Sequence, residues 1–345
     1  STDATGGAMT GGNSGNPSSP SLVPNFYYAN ALSDRWTVGF AFNVPFGNAT
    51  EYDSDWAGRY YDTTSSITSI NFNPGVGFKV DEMLSIGAGI SINYTTLELS
   101  QAIDFGSLLG KPQNMDGAAK LEGDDWGVGF NLGILLTFSE STRLGIAYRS
   151  HIKLTAVGDA DFTVPENIAA LVQARGGFTN TTFTLPASLP ESISLSLYHQ
   201  LTPRLAAMTD LTYTRWSRIQ EFRSSFDNPA QAESVTAKNW ENTWRIAVGF
   251  DYSYTPAWRF QAGVAYDENA IPDDTFDPRT PNSETIRVSL GTHYQYSDAL
   301  SFGVAYSRVM RDEHEIALID PKKGTLNGDI DFIGNLFGVE VDWRF

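Results

Sequence analysis

Segments of about ten residues in which apolar and polar side chains alternate recur along the whole chain, and a period of two is the signature of a strand with two unlike faces. Reading back from the C-terminus, Phe345, Trp343, Val341, Val339, Phe337 and Ile333 share one parity, broken by Asn335. Arg344, Asp342, Glu340, Gly338 and Gly334 share the other, with Leu336 as its exception. Trp244, Ile246, Val248, Phe250, Tyr252 and Tyr254 likewise alternate with Arg245, Ala247, Gly249, Asp251 and Ser253. A soluble sandwich would turn Lys, Glu and Thr toward bulk water. Here the polar parity is mostly Gly, Ser, Ala and single charges, as in a crowded barrel lumen whose other face meets lipid. A helical crossing is excluded, because the best apolar run, Leu132 to Phe138, is far shorter than the roughly 20 residues a bilayer demands.

Charge and composition narrow the function. With 23 Lys+Arg against 40 Asp+Glu the formal net charge is -17, the wrong sign for nucleic acid. Cysteine is absent, so disulfides, zinc-thiolate sites and thiol catalysis are excluded. Aromatics gather near segment ends (Trp36, Tyr94, Trp126, Tyr148, Tyr254, Trp258, Trp343), as in the interfacial girdles of membrane barrels. Short turn signals at 33–34, 81–82, 139–142, 202–203, 255–256 and 297–298 alternate with long polar stretches. Outer-membrane barrels place short turns in the periplasm and long loops outside. The predicted fold is therefore all-β, a transmembrane antiparallel β-barrel over 22–345 preceded by a Gly/Ser-rich external loop segment over 1–21. Segments begin near Leu22, Arg35, Thr63, Met83, Leu121, Arg143, Ala187, Arg204, Asn239, Ala257, Glu284, Ala299 and Asp329, about thirteen strands. Single-chain antiparallel barrels close with an even number, so one further strand upstream is expected.

Three sets of residues stand out. Pro45 and Gly47 follow the strand beginning at Arg35; either that strand ends there, or it continues through a kink. The stretches 100–120 (Ile103, Phe105, Leu108, Leu109, Met115) and 161–186 (Ile168, Leu171, Val172, Phe178) are more apolar than external loops need be unless they pack together or bind something. Within the second, Pro165 to Arg175 has helical spacing. The lumen-parity residues Arg245, Arg287, His293 and Asp251 are expected to pair across the interior as a polar network. The four histidines lack metal-ligand spacing, so no catalytic or metal site and no cofactor is predicted.

Several stretches together resemble the FadL family of outer-membrane transporters of long-chain fatty acids and other hydrophobic compounds. They are Asn48 to Tyr52, Trp126 to Asn131, Ala147-Tyr148-Arg149-Ser150, Leu189-Pro190-Glu191, Tyr213 to Ser217 and Arg245 to Gly249. The resemblance implies a fourteen-stranded barrel with an N-terminal hatch, of which this chain lacks the hatch and first strand. It implies that the strand kinks at Asn43, Pro45, Phe46, Gly47, Asn48 and Ala49 to open the wall sideways, and that the two apolar stretches form an external landing groove. The positions corresponding to the family's carboxylate-binding cations are Thr96 and Glu241, which favours an uncharged hydrophobe; Arg245 is retained. The implied function is passive uptake, in the bacterial outer membrane, of a hydrophobic small molecule (fatty acid, hydrocarbon, or detergent in a crystal), by a monomer surrounded by outer-membrane lipid. A general porin-like channel is the alternative, an outer-membrane hydrolase a more distant one.

Overall fold

The computed structural model describes residues 1–13 and 15–345. Its first strands are β1 (Phe26–Ala31), β2 (Trp36–Glu51), β3 (Thr64–Lys79), β4 (Leu84–Asp104), β5 (Asp116–Ser139), β6 (Thr142–Arg149) and β7 (Ile152–Thr163). Helix α1 (Glu166–Ala174) precedes β8 (Thr181–Leu189), β9 (Ser192–Thr202), β10 (Leu205–Thr214), β11 (Glu221–Phe226) and β12 (Ser234–Ala237). The chain ends with β13 (Thr243–Ser253), β14 (Trp258–Asp267), β15 (Thr285–Gln295), β16 (Leu300–Arg311), β17 (His314–Asp320), β18 (Gly324–Ile330) and β19 (Ile333–Trp343).

Near the short turns the ladder runs β1-β2-β3-β4-β5-β6-β9-β10-β13-β14-β15-β16-β19, thirteen strands, each antiparallel to its neighbours. This is the barrel the alternation predicts. Its edges, β1 and β19, are close together, since the Tyr28 and Phe345 rings stack at 5.9 Å. An odd count makes those edges run in the same direction, so they cannot form an antiparallel pair with each other. The apolar parity faces outward: Ile86, Ile90, Leu132, Ile246, Phe250, Leu290, Val304 and Val339 are all exposed, as a lipid belt requires. Trp258 with Tyr294, Trp36 with Phe78, and Trp343 flank the belt at the turn end, and Tyr94 with Trp126 and Tyr213 with Trp244 at the loop end.

Four consecutive wall segments break at one level. The breaks are Ser150–His151 between β6 and β7, Pro190–Glu191 between β8 and β9, residues 215–220 between β10 and β11, and 238–242 between β12 and β13. Beyond them β7 shifts its pairing upward along β5 and continues through β8 and β11 to β12. The cause is local. Ser150 Oγ accepts the Phe130 amide at 2.9 Å and the Ser150 amide donates to Phe130 O, which pins the corner. Pro190 has no amide to continue a ladder. Glu191 accepts from Arg218 Nε at 2.7 Å and from Arg215 at 3.1 Å, tying two breaks together. Gly127 leaves the space that Ile152 fills, because a Cβ there would lie 2.3 Å from its side chain. Gly158 allows β7 to lie on β5, since a Cβ would sit 1.9 Å from Glu122 O.

The expectation of long polar stretches between the short turns needs refinement. About half of 100–120 is strand: β4 and β5 pair from Ser100↔Lys120 to Asp104↔Asp116, leaving a tip over 105–115 that includes the 3-10 turn Phe105–Leu109. The stretch 311–328 likewise contains the β17–β18 hairpin, against which the N-terminal segment lies through the Thr2–Thr325 bridge. The expected helix at 165–175 is α1, with Pro165 at its N-cap and Arg175 at its C-cap.

Candidate functional site

The inward face changes character where the strands leave the lipid belt. Along β4 the inward residues run Ser91, Asn93, Thr95 and then Leu97 and Leu99, while Thr96 is exposed. Along β7 they are Ile152, Leu154, Ala156 and Ala160, with Lys153, Thr155 and Asp159 outside. The usual rule is therefore inverted here: polar out, apolar in. Leu97, Leu99, Ala156, Ala160, Phe183 and Leu185 form one buried cluster. Beside it lies an apolar cavity of about 50 Å³ lined by Ile67, Leu97, Leu154, Leu185, Ala187 and Phe222, among others. Its polar lining residues are Thr95 and Asp125. The sequence does not assemble this pocket: Asp125 reads there only as half of a surface carboxylate pair with Asp124, although the parity switch from Ile92 and Tyr94 to Leu97 and Leu99 records the inversion.

Below the pocket is a neutral polar belt. Asn71 Nδ2 donates to Asn43 Oδ1 at 3.2 Å, Ser69 hydrogen-bonds Asn93, and Asn73 Nδ2 donates to Ser91 Oγ at 3.1 Å. Asn43 begins the irregular part of β2. The register against β3 jumps from Asn43↔Asn71 to Phe46↔Ser69, so Val44 and Pro45 form a one-residue bulge. The extra residue flips the parity: Phe42 pairs outward with Phe72, whereas Phe46 turns inward and meets the Trp216 ring at 5.9 Å. Pro45 and Phe46 line a narrow pocket together with Arg149, Ser150, Leu189 and Pro190 across the lumen, too narrow to hold a water molecule. On its other edge β2 is paired with β1 only as far as Phe26↔Phe42, so among the described residues no strand lies on that side of Asn43 to Ala49. Gly47 and Ala49 are exposed there, and Asn48 Nδ2 donates inward to Arg279 O at 2.9 Å. The strand thus continues through a bulge, as one of the two sequence readings had it.

Between pocket and bulge runs a row of rings: Phe222 to Trp240 at 6.4 Å, Trp240 to Trp216 at 5.4 Å, then Trp216 to Phe46. On the turn side of the bulge the lumen widens into a chamber of about 600 Å³ with Arg143, Asp210, Arg245 and Arg287 in its wall. The lumen residues named from sequence do not form one network. Arg245 lies 3.6 Å from Asp210, Asp251 3.8 Å from Arg259, and His293 3.1 Å from Asp342. Arg287 faces the same chamber wall as Arg245 without a described ion pair.

The two apolar stretches meet at the loop end. Phe105, Ile168 and Val172 are buried together, with Ile103, Met115 and Phe178 packed on them. Leu108, Leu109 and Leu171 stay exposed on the same assembly.

A second external assembly encloses buried charge. Lys238, fully buried, donates to Asp277 at 2.6 Å and to Thr280 at 3.3 Å, and lies 5.0 Å over the Phe222 ring. Asp62 is also fully buried; Thr50 Oγ1 donates to it at 3.4 Å and Arg279 Nε lies 3.6 Å away. Tyr52, Trp56, Ile271, Phe276, Ile316 and Leu326 pack around these groups as a cap. Burial pushes the Asp62 carboxyl up to about 7, against the pull of Arg279. A raised carboxyl stabilises the folded cap fully below the unfolded value near 4, and that contribution is lost as pH rises to about 7. Lys323, pulled down by burial to about 8, acts in a separate alkaline window. Protease nicking of the intact protein within 50–62 should therefore increase from pH 4 to 7, and Asp62→Asn should flatten that part of the profile. An unchanged profile in the variant would remove Asp62 as its cause.

A family model described as "Outer membrane protein transport protein (OMPP1/FadL/TodX)" matches residues 1–345. The "47 kDa outer membrane protein" of Pasteurella multocida is 30% identical over 348 residues, covering 94% of this chain and 77% of the relative. The "Long-chain fatty acid transport protein" of Escherichia coli O6:H1 is 27% identical over 308 residues, covering 83% and 68%. The crystal structure of a Pseudomonas aeruginosa FadL homologue superposes with a TM-score of 0.90 at 25% identity, covering 99% of this chain and 85% of that one. The Pseudomonas putida toluene transporter TodX shares the fold, at 18% identity and a TM-score of 0.68.

Proposed function

We propose that this chain, which belongs to the outer membrane protein transport protein family (OMPP1/FadL/TodX), passively takes up hydrophobic small molecules and releases them sideways through the wall at the β2 bulge. The relatives named for long-chain fatty acids and for toluene indicate the range of solutes such a frame serves. The observation that carries the reading is the row of apolar rings. It runs from Phe222 at the inverted pocket through Trp240 and Trp216 to Phe46, which sits on the strand whose neighbouring edge is unpaired among the described residues.

Energetics favour this exit over an axial one. A solute with about ten methylenes gains roughly 8 kcal/mol in leaving water for lipid. An axial path would lead through the chamber beneath the bulge, past the charged side chains of Arg143, Asp210, Arg245 and Arg287, and end in water, where that gain is not realised. The gap at Asn43, Pro45, Phe46, Gly47, Asn48 and Ala49 exchanges one apolar surface for another. Capture begins outside, at Leu108, Leu109 and Leu171 on the assembly of Ile103, Phe105, Met115, Ile168, Val172 and Phe178. A general porin would need a wide open lumen, and the narrow pocket that Pro45 and Phe46 line with Leu189 and Pro190 counts against that.

Gly47→Arg tests the route. The position is exposed, and a Cβ there meets only Ile67 O at 3.8 Å, so the variant should fold. Uptake of a radiolabelled alkane into outer-membrane vesicles should fall at least tenfold, while binding to the solubilised protein persists. Leu108→Asp with Leu171→Asp should instead weaken capture. Parental uptake by Gly47→Arg would overturn the lateral exit.

A further inference from the structure

The pocket's polar end has a chemistry of its own. Thr95 and Asp125 are cross-strand partners on the inward face of β4 and β5, so their side chains stand next to each other in the lining. Thr95 is 8% exposed, and its Oγ1 has no hydrogen-bond partner among the described residues. Asp125 uses Oδ2 to accept the Thr155 amide at 2.6 Å, where β7 has parted from β5. Among the described residues no Lys or Arg lines the pocket. Thr96, the position that the family resemblance suggested, faces outward and cannot contribute. A buried hydroxyl without a partner is costly, and a group that satisfies it on binding recovers that cost.

We infer that the pocket selects neutral hydroxylated hydrophobes, aliphatic alcohols or phenols, through Thr95 and Asp125. This inference rests on the transport reading above. The ligand's O–H donates to the Asp125 carboxylate, and its oxygen accepts from the Thr95 hydroxyl. A purely hydrocarbon ligand leaves Thr95 unsatisfied, and an alkyl carboxylate brings a second negative charge against Asp125 with no cation to offset it. The apolar remainder of the wall meets the methylenes next to the headgroup in all three cases, so the discrimination lies at these two side chains.

Equilibrium binding of radiolabelled dodecane, 1-dodecanol and dodecanoate to the solubilised full chain at pH 8 tests this. Dodecanol should bind about tenfold tighter than dodecane after correction for partition into detergent, with dodecanoate weakest. Thr95→Val, equal in shape, should abolish the dodecanol advantage and leave dodecane unchanged. Asp125→Asn still accepts the Thr155 amide and should gain affinity for dodecanoate, a readout that a merely structural role would not produce. Equal binding of dodecanol and dodecane, an advantage that survives Thr95→Val, or tightest binding of dodecanoate would overturn the inference and leave the transport reading standing. Saturable binding of none of the three would overturn both.

Discussion

Replacing Lys238 with Met should release the external cap while leaving the barrel below it intact. Lys238 and Asp277 are both deeply buried and 2.6 Å apart, so the substitution strands a carboxylate in the protein interior. Removing one partner of a buried pair costs about 3–5 kcal/mol, against a near-neutral effect when both charges are replaced together. Lys238→Met with Asp277→Asn should therefore recover most of the loss, because the Asn Oδ1 still accepts the amides of Arg279 and Thr280. The readout is protease nicking at 269–283, expected to rise by two to three orders of magnitude in the single variant. Heat-modifiable migration of the barrel should not change. Lys238 also lies over Phe222, the ring that closes one side of the pocket, so the single variant should bind and release ligand faster. A single variant as resistant as the parent would mean that the pair contributes nothing to the cap.

The strands were legible because lipid forces every outward position to be apolar, and the alternation of β13, β15 and β19 leaves little freedom of register. The site was less legible, for identifiable reasons. Leu97 and Leu99 carry the inversion in plain letters, yet a reader following the parity of Leu84 to Tyr94 passes over the switch. Pro190, Arg215 and Ser150 mark the breaks, but only the fold brings three such distant positions to one level. Arg245, His293 and Asp251 share a lumen parity, and parity cannot say that each finds a different partner. Lys238 lies among polar residues in sequence and reads like any solvated lysine. Its burial depends on Asp277 and Phe222, which lie far away in the chain or across a turn. The bulge was half visible: Pro45 and Gly47 signalled an irregularity, and the pairing with β3 decided between an ending and a kink.

A direct effect on ligand binding is expected from filling the pocket. Ala156 lies on β7, buried in the cluster beside Leu97 and Leu185, and its methyl group faces the cavity. A phenyl ring at 156 exceeds the cavity volume of about 50 Å³ and would fill the space a ligand needs. Overpacking of this kind costs typically 1–3 kcal/mol, which the barrel frame should withstand, since its ladder lies on the other side of the breaks. The ligand loses a comparable amount. A cavity of about 50 Å³ admits roughly two methylenes, whose burial is worth about 1.6 kcal/mol, so their exclusion weakens binding about tenfold. Ala156→Phe should thus weaken saturable binding of a twelve-carbon probe about tenfold while the protein still migrates as a folded barrel. Leu97→Ala, which widens the same cavity, should shift preference toward broader, ring-containing solutes. The two variants separate the pocket from the external loops. If Ala156→Phe binds the probe as the parent does, the ligand rests on Leu108, Leu109 and Leu171 outside, and the inverted face beneath them is only packing.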